Sequence, residues 1–168
     1  LDRLKRIEGA EGFYLAGGTA IAFHLEHRRS LDLDLFSESD DADLARLRHH
    51  LASGFDAVEV LSETDATLKL ELDGVLVDIV RYPYPPLEPP TSGAGGFPTA
   101  HLLDLAAMKL AAISRRGIRR DFWDLAAILE SGLPLMAVAN AYARRFGIEK
   151  SDLYHVARAL TYFDDAEK

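Results

Sequence analysis

The sequence predicts an α+β fold: a small mixed β-sheet core with helices, followed by a C-terminal helical bundle. Three observations predict it. Residues 13–82 alternate period-two apolar runs with helical ones. Residues 83–98 then break the pattern, holding Pro83, Pro85, Pro86, Pro89, Pro90 and Pro98, six of the seven prolines in the chain. From Thr99 onward the apolar spacing is helical throughout. The organisation expected is a core over 1–82, a Pro/Gly-rich linker over 83–98, and a helical region over 99–168 packing on the core.

The elements follow in order. Phe13-Tyr14-Leu15 reads as a short strand ending at Gly17-Gly18, and Thr19 to His27 reads as a helix. Leu31 to Phe36 alternates and reads as a strand. Ser39, Asp40 or Asp41 offers a cap for a helix running to about Leu51. Ala57–Leu61, Thr67–Leu72 and Val75–Arg81 read as strands, and Asp73-Gly74 between the last two is a two-residue hairpin signal. Proline fixes φ and removes a backbone donor, so 83–98 is expected to be loop. Helices are expected near 100–116, 119–130, 134–146 and 150–163.

Composition excludes several classes of function. The chain has 168 residues and no cysteine, which removes disulfides, thiolate catalysis and Cys-based zinc sites. No apolar run approaches the roughly 20 residues that span a bilayer, so no membrane partner is expected and the protein reads as cytoplasmic. A net charge of −8 disfavours nucleic-acid binding over the whole surface but leaves room for a local basic patch. Arg115, Arg116, Arg119 and Arg120 are concentrated in one short stretch, and Arg28 and Arg29 precede the Leu31–Phe36 strand.

The chemistry concentrates in Gly17-Gly18-Thr19-Ala20 and Asp32-Leu33-Asp34. A glycine turn opening a helix offers free N–H groups and a positive dipole end, both favourable to phosphate. Strand side chains alternate, so Asp32 and Asp34 share a face, and two such carboxylates repel unless a cation lies between them. Hard oxygen ligands of this kind suit Mg²⁺, commonly bound by one or two carboxylates plus substrate phosphates. Asp78 shares a strand face with Leu76 and Val80, where a lone acid is costly unless paired or metal-bound. Lys109 lies in a helix apolar nearly all round, so it either snorkels or finds an anion. Were that helix to continue, Arg116 and Arg120 would lie within about 20° of Lys109 around the axis, a stripe able to bind triphosphate or an RNA backbone. For Asp121 and Asp124 the plain reading is acid in the first turn of the next helix. The histidines show no metal spacing, and His24 reads as a satisfied helix histidine.

Three blocks carry a family resemblance: Phe13 to Ala20, Arg29-Ser30-Leu31-Asp32-Leu33-Asp34-Leu35-Phe36, and Asp104 to Ile113 with Arg120-Asp121-Phe122-Trp123-Asp124-Leu125 after it. They resemble the AbiEii/AbiGii-type nucleotidyltransferase toxins, within the DNA polymerase β-like superfamily. The resemblance implies a nucleotidyltransferase core, with Gly18 and Thr19 in the turn that holds phosphates and Asp32 and Asp34 as a metal pair. It implies Lys109 on phosphates, Asp121 as the acid of the helical motif, and Asp78 as third carboxylate by strand position. It also implies an NTP substrate, an acceptor such as tRNA, and a cognate antitoxin.

The expected function is Mg²⁺-dependent nucleotide transfer. Asp32, Asp34, Asp78, Lys109 and Asp121 are the expected catalytic set, with Asp32, Asp34 and Asp78 on the metal. Gly17, Gly18, Thr19, Lys109, Arg116 and Arg120 are expected on the nucleotide. A binding module of the same fold without turnover, or nucleotidylation of a protein, stays open as an alternative.

Overall fold

A computed structural model describes residues 1–163. The chain builds a seven-stranded mixed sheet in the order β3-β4-β5-β2-β1-β7-β6. The strands are β1 (Tyr14–Ala16), β2 (Leu33–Ser37), β3 (Val58–Glu63), β4 (Thr67–Leu72), β5 (Val75–Arg81), β6 (Thr91–Ser92) and β7 (Pro98–Thr99). The helices are α1 (Gly17–Leu25), α2 (Leu44–Gly54), α3 (Leu102–Arg115), α4 (Arg119–Glu130), α5 (Leu135–Phe146) and α6 (Tyr154–Ala159).

Period-two alternation decides the sheet's two faces. In β5, Val77 and Ile79 are buried; in β4, Leu68, Leu70 and Leu72 are. Each such aliphatic side chain contributes roughly 1.5–3 kcal/mol by leaving water. The intervening residues Lys69, Asp78 and Val80 face the other way. β4 and β5 form the expected hairpin, and Asp73 (φ 50°) and Gly74 (φ 83°) both take left-handed backbone, as a tight primed turn requires. Between β2 and β5 the pairing is parallel and sets Asp34 beside Asp78.

The structure corrects four details of the reading. The cap of α2 is Asp43, whose side chain accepts from Arg46 N at 2.8 Å, so the helix starts later than the Ser39–Asp41 cluster suggests. Asp32 lies one residue ahead of β2, not within it. In the expected 150–163 helix, a 3-10 turn over Lys150–Leu153 comes first and α6 ends at Ala159. Positions 164–168 of the expected C-terminal region lie outside the described residues. Finally, the segment 83–98 is not all loop. β7 pairs with β1 in parallel (Leu15 opposite Thr99) and β6 pairs with β7. Proline is compatible with this because both strands are only two residues long and lie at the end of the sheet.

A buried polar knot ties that segment to the helices. Asp104 in the first turn of α3 accepts from the backbone of Leu87 at 2.8 Å and Glu88 at 3.2 Å. It also pairs with Arg145 of α5, both side chains fully buried. Arg145 in turn donates to the Tyr14 hydroxyl at 3.0 Å. α3 is apolar nearly all round because it packs against α1, α4, α5 and α6. One hydrophobic core joins the sheet to these helices. Among the described residues, no single helix is long and apolar enough to cross a membrane.

Candidate active site

A cleft of about 620 Å³ opens between the sheet and the helices. One wall is the sheet, carrying Asp32, Asp34, Phe36, Lys69, Asp78 and Val80. The other is helical, carrying Lys109, Arg115, Arg116, Arg120 and Asp121, with Gly17, Gly18 and Arg28 at the base.

Gly17 and Gly18 are required by close approach. Gly17 has φ +61°, and a Cβ there would lie 1.9 Å from Asp34 Oδ2. A Cβ on Gly18 would lie 2.0 Å from Arg28 Nη2. The turn therefore seats one glycine on a carboxylate of the sheet wall and the next on a guanidinium. The Thr19 hydroxyl donates to the carbonyl of Asp32, fixing the residue before β2 to the first turn of α1. The Thr19 side chain does not line the cleft.

The sheet wall is electrostatically unsettled. Burial pushes the Asp34 carboxyl above the usual carboxylate range, and the neighbouring charge of Asp78 pushes it further. Asp78 takes Lys69 as an ion partner, and Asp32, half exposed, has Arg120 Nη1 at 3.7 Å. Among the described residues no three His, Cys, Asp or Glu side chains are gathered to hold a metal as they stand. Asp78 and Asp32 each lean on a protein cation, Lys69 and Arg120, whereas no ion pair is made by Asp34 among the described residues. The donor set is hard oxygen, and the charge of Asp78, which adds to burial in raising Asp34, is one a divalent cation would offset. These residues therefore fit such an ion.

The helical wall is the opposite case. Lys109 is buried and bonds Asp121 Oδ1 at 2.9 Å and Asp124 Oδ2 at 2.8 Å. Asp121 also accepts from Arg116 Nε at 3.0 Å. Asp124, fully buried, accepts from Arg28 Nε at 2.7 Å and Nη2 at 3.0 Å, and bonds His27 Nε2 at 2.9 Å. Burial alone would push Asp124 up, but the hydrogen bonds from Arg28, Lys109 and His27 outweigh it and bring its pKa down to about 2.

Nine of the sequence-derived residues thus surround one cleft: Gly17, Gly18, Asp32, Asp34, Asp78, Lys109, Arg116, Arg120 and Asp121. The sequence reading took Asp124 only as an acid in the first turn of α4, whereas it lies past that turn and is buried; it did not single out His27 or Lys69, and noted Arg28 only as a local positive charge. A signal for Asp124 was present. Positions 121, 124, 125 and 128 form the buried stripe of α4, and two of the four are acids. An acid repeated on an apolar stripe calls for a buried cation, and Lys109 sits on the preceding helix.

The comparisons agree with this architecture. MenT4, a nucleotidyltransferase toxin from Mycobacterium tuberculosis, superposes with a TM-score of 0.58 at 16% identity, covering 84% of this chain. This chain spans only 60% of MenT4's length. The antibiotic-resistance factor ANT(2'')-Ia gives 0.58 at 17% identity over 87% of each chain. The fold is that of the nucleotidyltransferases. An uncharacterized protein from Aquifex aeolicus is 30% identical over 174 residues, which is 100% of this chain and 82% of that one. The model of the nucleotidyl transferase AbiEii toxin family, from type IV toxin–antitoxin systems, matches residues 1–161. The chain belongs to the AbiEii nucleotidyltransferase toxin family, which places it among nucleotidyltransferases and toxin–antitoxin proteins.

Proposed function

We propose that this chain is a Mg²⁺-dependent toxin of the cytoplasm, transferring a nucleotide from an NTP to an acceptor hydroxyl such as the 3′ end of a tRNA, and countered by a cognate antitoxin. The observation that carries this is the pairing of Asp34 with Asp78 across β2 and β5, directly beside the Gly17-Gly18 turn.

The backbone N–H groups of Gly18 and Thr19 bind the β- and γ-phosphates at the start of α1. Arg28 sits against Gly18 and adds a cation to this cradle. Lys109, Arg116 and Arg120 stabilise charge developing on the triphosphate. Asp32, Asp34 and Asp78 would hold Mg²⁺, which when bound offsets phosphate charge on the attacking and leaving sides. The acceptor hydroxyl oxygen adds to the α-phosphorus and its proton passes to Asp78. The bond from the α-phosphorus to the bridging oxygen breaks, and pyrophosphate leaves. Asp124 touches none of the reacting groups; it positions Arg28 and Lys109.

The test is incubation with each α-radiolabelled NTP, Mg²⁺ and total tRNA, beside Asp32→Asn. Label on RNA with one NTP, reduced a hundred-fold or more in the variant, is expected, on the scale of losing a preorganised electrostatic contact. Equal labelling by the variant would sink the assignment. Label on protein instead of RNA would move the acceptor to a side chain.

A further inference from the structure

We infer that the exposed start of α4, outside the cleft mouth, is a landing for single-stranded RNA, with Trp123 stacking a base, Arg119 taking a phosphate beside it, and Arg115 taking one where the strand enters the cleft. The inference deepens the proposed function by assigning the acceptor a surface.

Trp123 is 63% exposed, a large apolar surface left in water on the first turns of a helix. Isolated exposed aliphatics are ordinary, but a single exposed tryptophan beside arginines calls for a reason. The Arg119 guanidinium lies over its ring at 5.7 Å, a cation–π contact that orients both groups. An Arg–Trp pair at i,i+4 stabilises a helix by only a few tenths of a kcal/mol. Against that small gain, cations in the first turn of α4 oppose its dipole. The pair is therefore poorly explained as helix support.

Charge complementarity and continuity select the occupant. The chain carries −8 overall, yet Arg115, Arg116, Arg119 and Arg120 fall within six positions where α3 hands over to α4. Among the described residues, Arg115 and Arg119 make no ion pair with a carboxylate. Arg115 and Arg120 line the cleft itself. On a helix Trp123 lies about 60° around the axis from Arg120, so the ledge continues the cleft's rim outward. Stacking on an aromatic beside a basic track is the way proteins grip single strands without reading their sequence. A strand laid here would pass Arg119 and enter the cleft at Arg120 and Arg115, which line it together with Asp32 and Asp78.

Trp123 is the sole tryptophan, which gives a direct readout. A short single-stranded RNA with a free 3′ hydroxyl should quench its emission. Trp123→Ala should bind a fluorescein-labelled copy of that RNA roughly 5- to 150-fold more weakly, while Trp123→Phe, which keeps a stacking face, largely restores it. Arg119→Ala should lower the slope of log affinity against log salt by about 0.7. NTP affinity should be unchanged in both alanine variants. Asp32→Asn should keep the quenching and lose transfer, so failure of the chemistry and failure of the landing are read separately. Unchanged emission on adding RNA, or equal RNA affinity in Trp123→Ala, overturns the inference. A protein partner that quenches Trp123 where RNA does not overturns it as well.

Discussion

The two walls of the cleft handle charge in opposite ways. On the sheet side, Asp34 is buried beside Asp78 and is pushed above the ordinary carboxylate range. On the helical side, Asp124 is buried too yet falls to about 2, because Arg28, Lys109 and His27 all bond it. Burial acts on both; partners decide the sign. The helical wall balances its buried acids, Asp121 and Asp124, within the protein, and this holds the cations Lys109, Arg116 and Arg28 in position. The sheet wall holds charge the protein alone does not balance, which is what a site for a cation and a triphosphate requires.

The largest effect that tests this contrast is Asp124→Ala. It strips Arg28 of its carboxylate and removes one of the two on Lys109, inside a wall with little water. Breaking a buried pair from one side costs about 3–5 kcal/mol. For a chain of this size that is roughly 6–20 °C in Tm, measured by calorimetry. Asp32→Ala, half exposed, should stay within about 0.5 kcal/mol of the parent. Equal losses in the two variants would erase the distinction between scaffold and site.

A smaller effect sharpens the same contrast by pH. The folded pKa of Asp124 is depressed below its unfolded value. Its contribution is therefore fully present above about pH 4 and is lost as pH falls toward 2. The size is about 2 kcal/mol from the shift itself. Urea midpoints of the parent and Asp124→Asn should differ at pH 7 and converge between about pH 4 and pH 2. A gap that stays constant down to pH 2 would show that Asp124 acts by shape rather than charge.

What was legible in the sequence follows the same division. Period-two alternation placed Asp34 on its strand and Asp78 with Leu76 and Val80, because strand geometry is local; Asp32 lines the same cleft although it precedes β2. The Asp73-Gly74 turn was equally local. The parallel contact of β7 with β1 was not, since Leu15 and Thr99 are distant in sequence and β7 is two residues long. Asp124 was hidden for the same reason: His27 and Arg28 reach it from 97 and 96 positions away. Lys109 was read as a phosphate ligand or a snorkelling lysine, and its two aspartates became visible only once α3 and α4 were packed together. Local pattern exposes the open charges of the sheet wall, whereas the closed network depends on tertiary contacts.

The smallest effect has the opposite sign. Asp34 has a raised folded pKa, so its ionised form is disfavoured by the fold, and its charge costs stability at neutral pH. Asp34→Asn keeps the shape, removes the repulsion from Asp78 and Asp32, and gives up a weaker attraction to Lys109. The variant should melt slightly higher than the parent at pH 7 without divalent cations, by on the order of 1 kcal/mol or less, while transfer falls a hundred-fold or more. Millimolar Mg²⁺ should then raise the parent's Tm and leave the variant's nearly unmoved, because only a ligand of the folded state stabilises it. Stability gained where activity is lost, with Mg²⁺ closing the gap, is the signature of a carboxylate held in place for its partner. A variant that melts lower than the parent would instead make Asp34 part of the scaffold, and the two walls would no longer differ in kind.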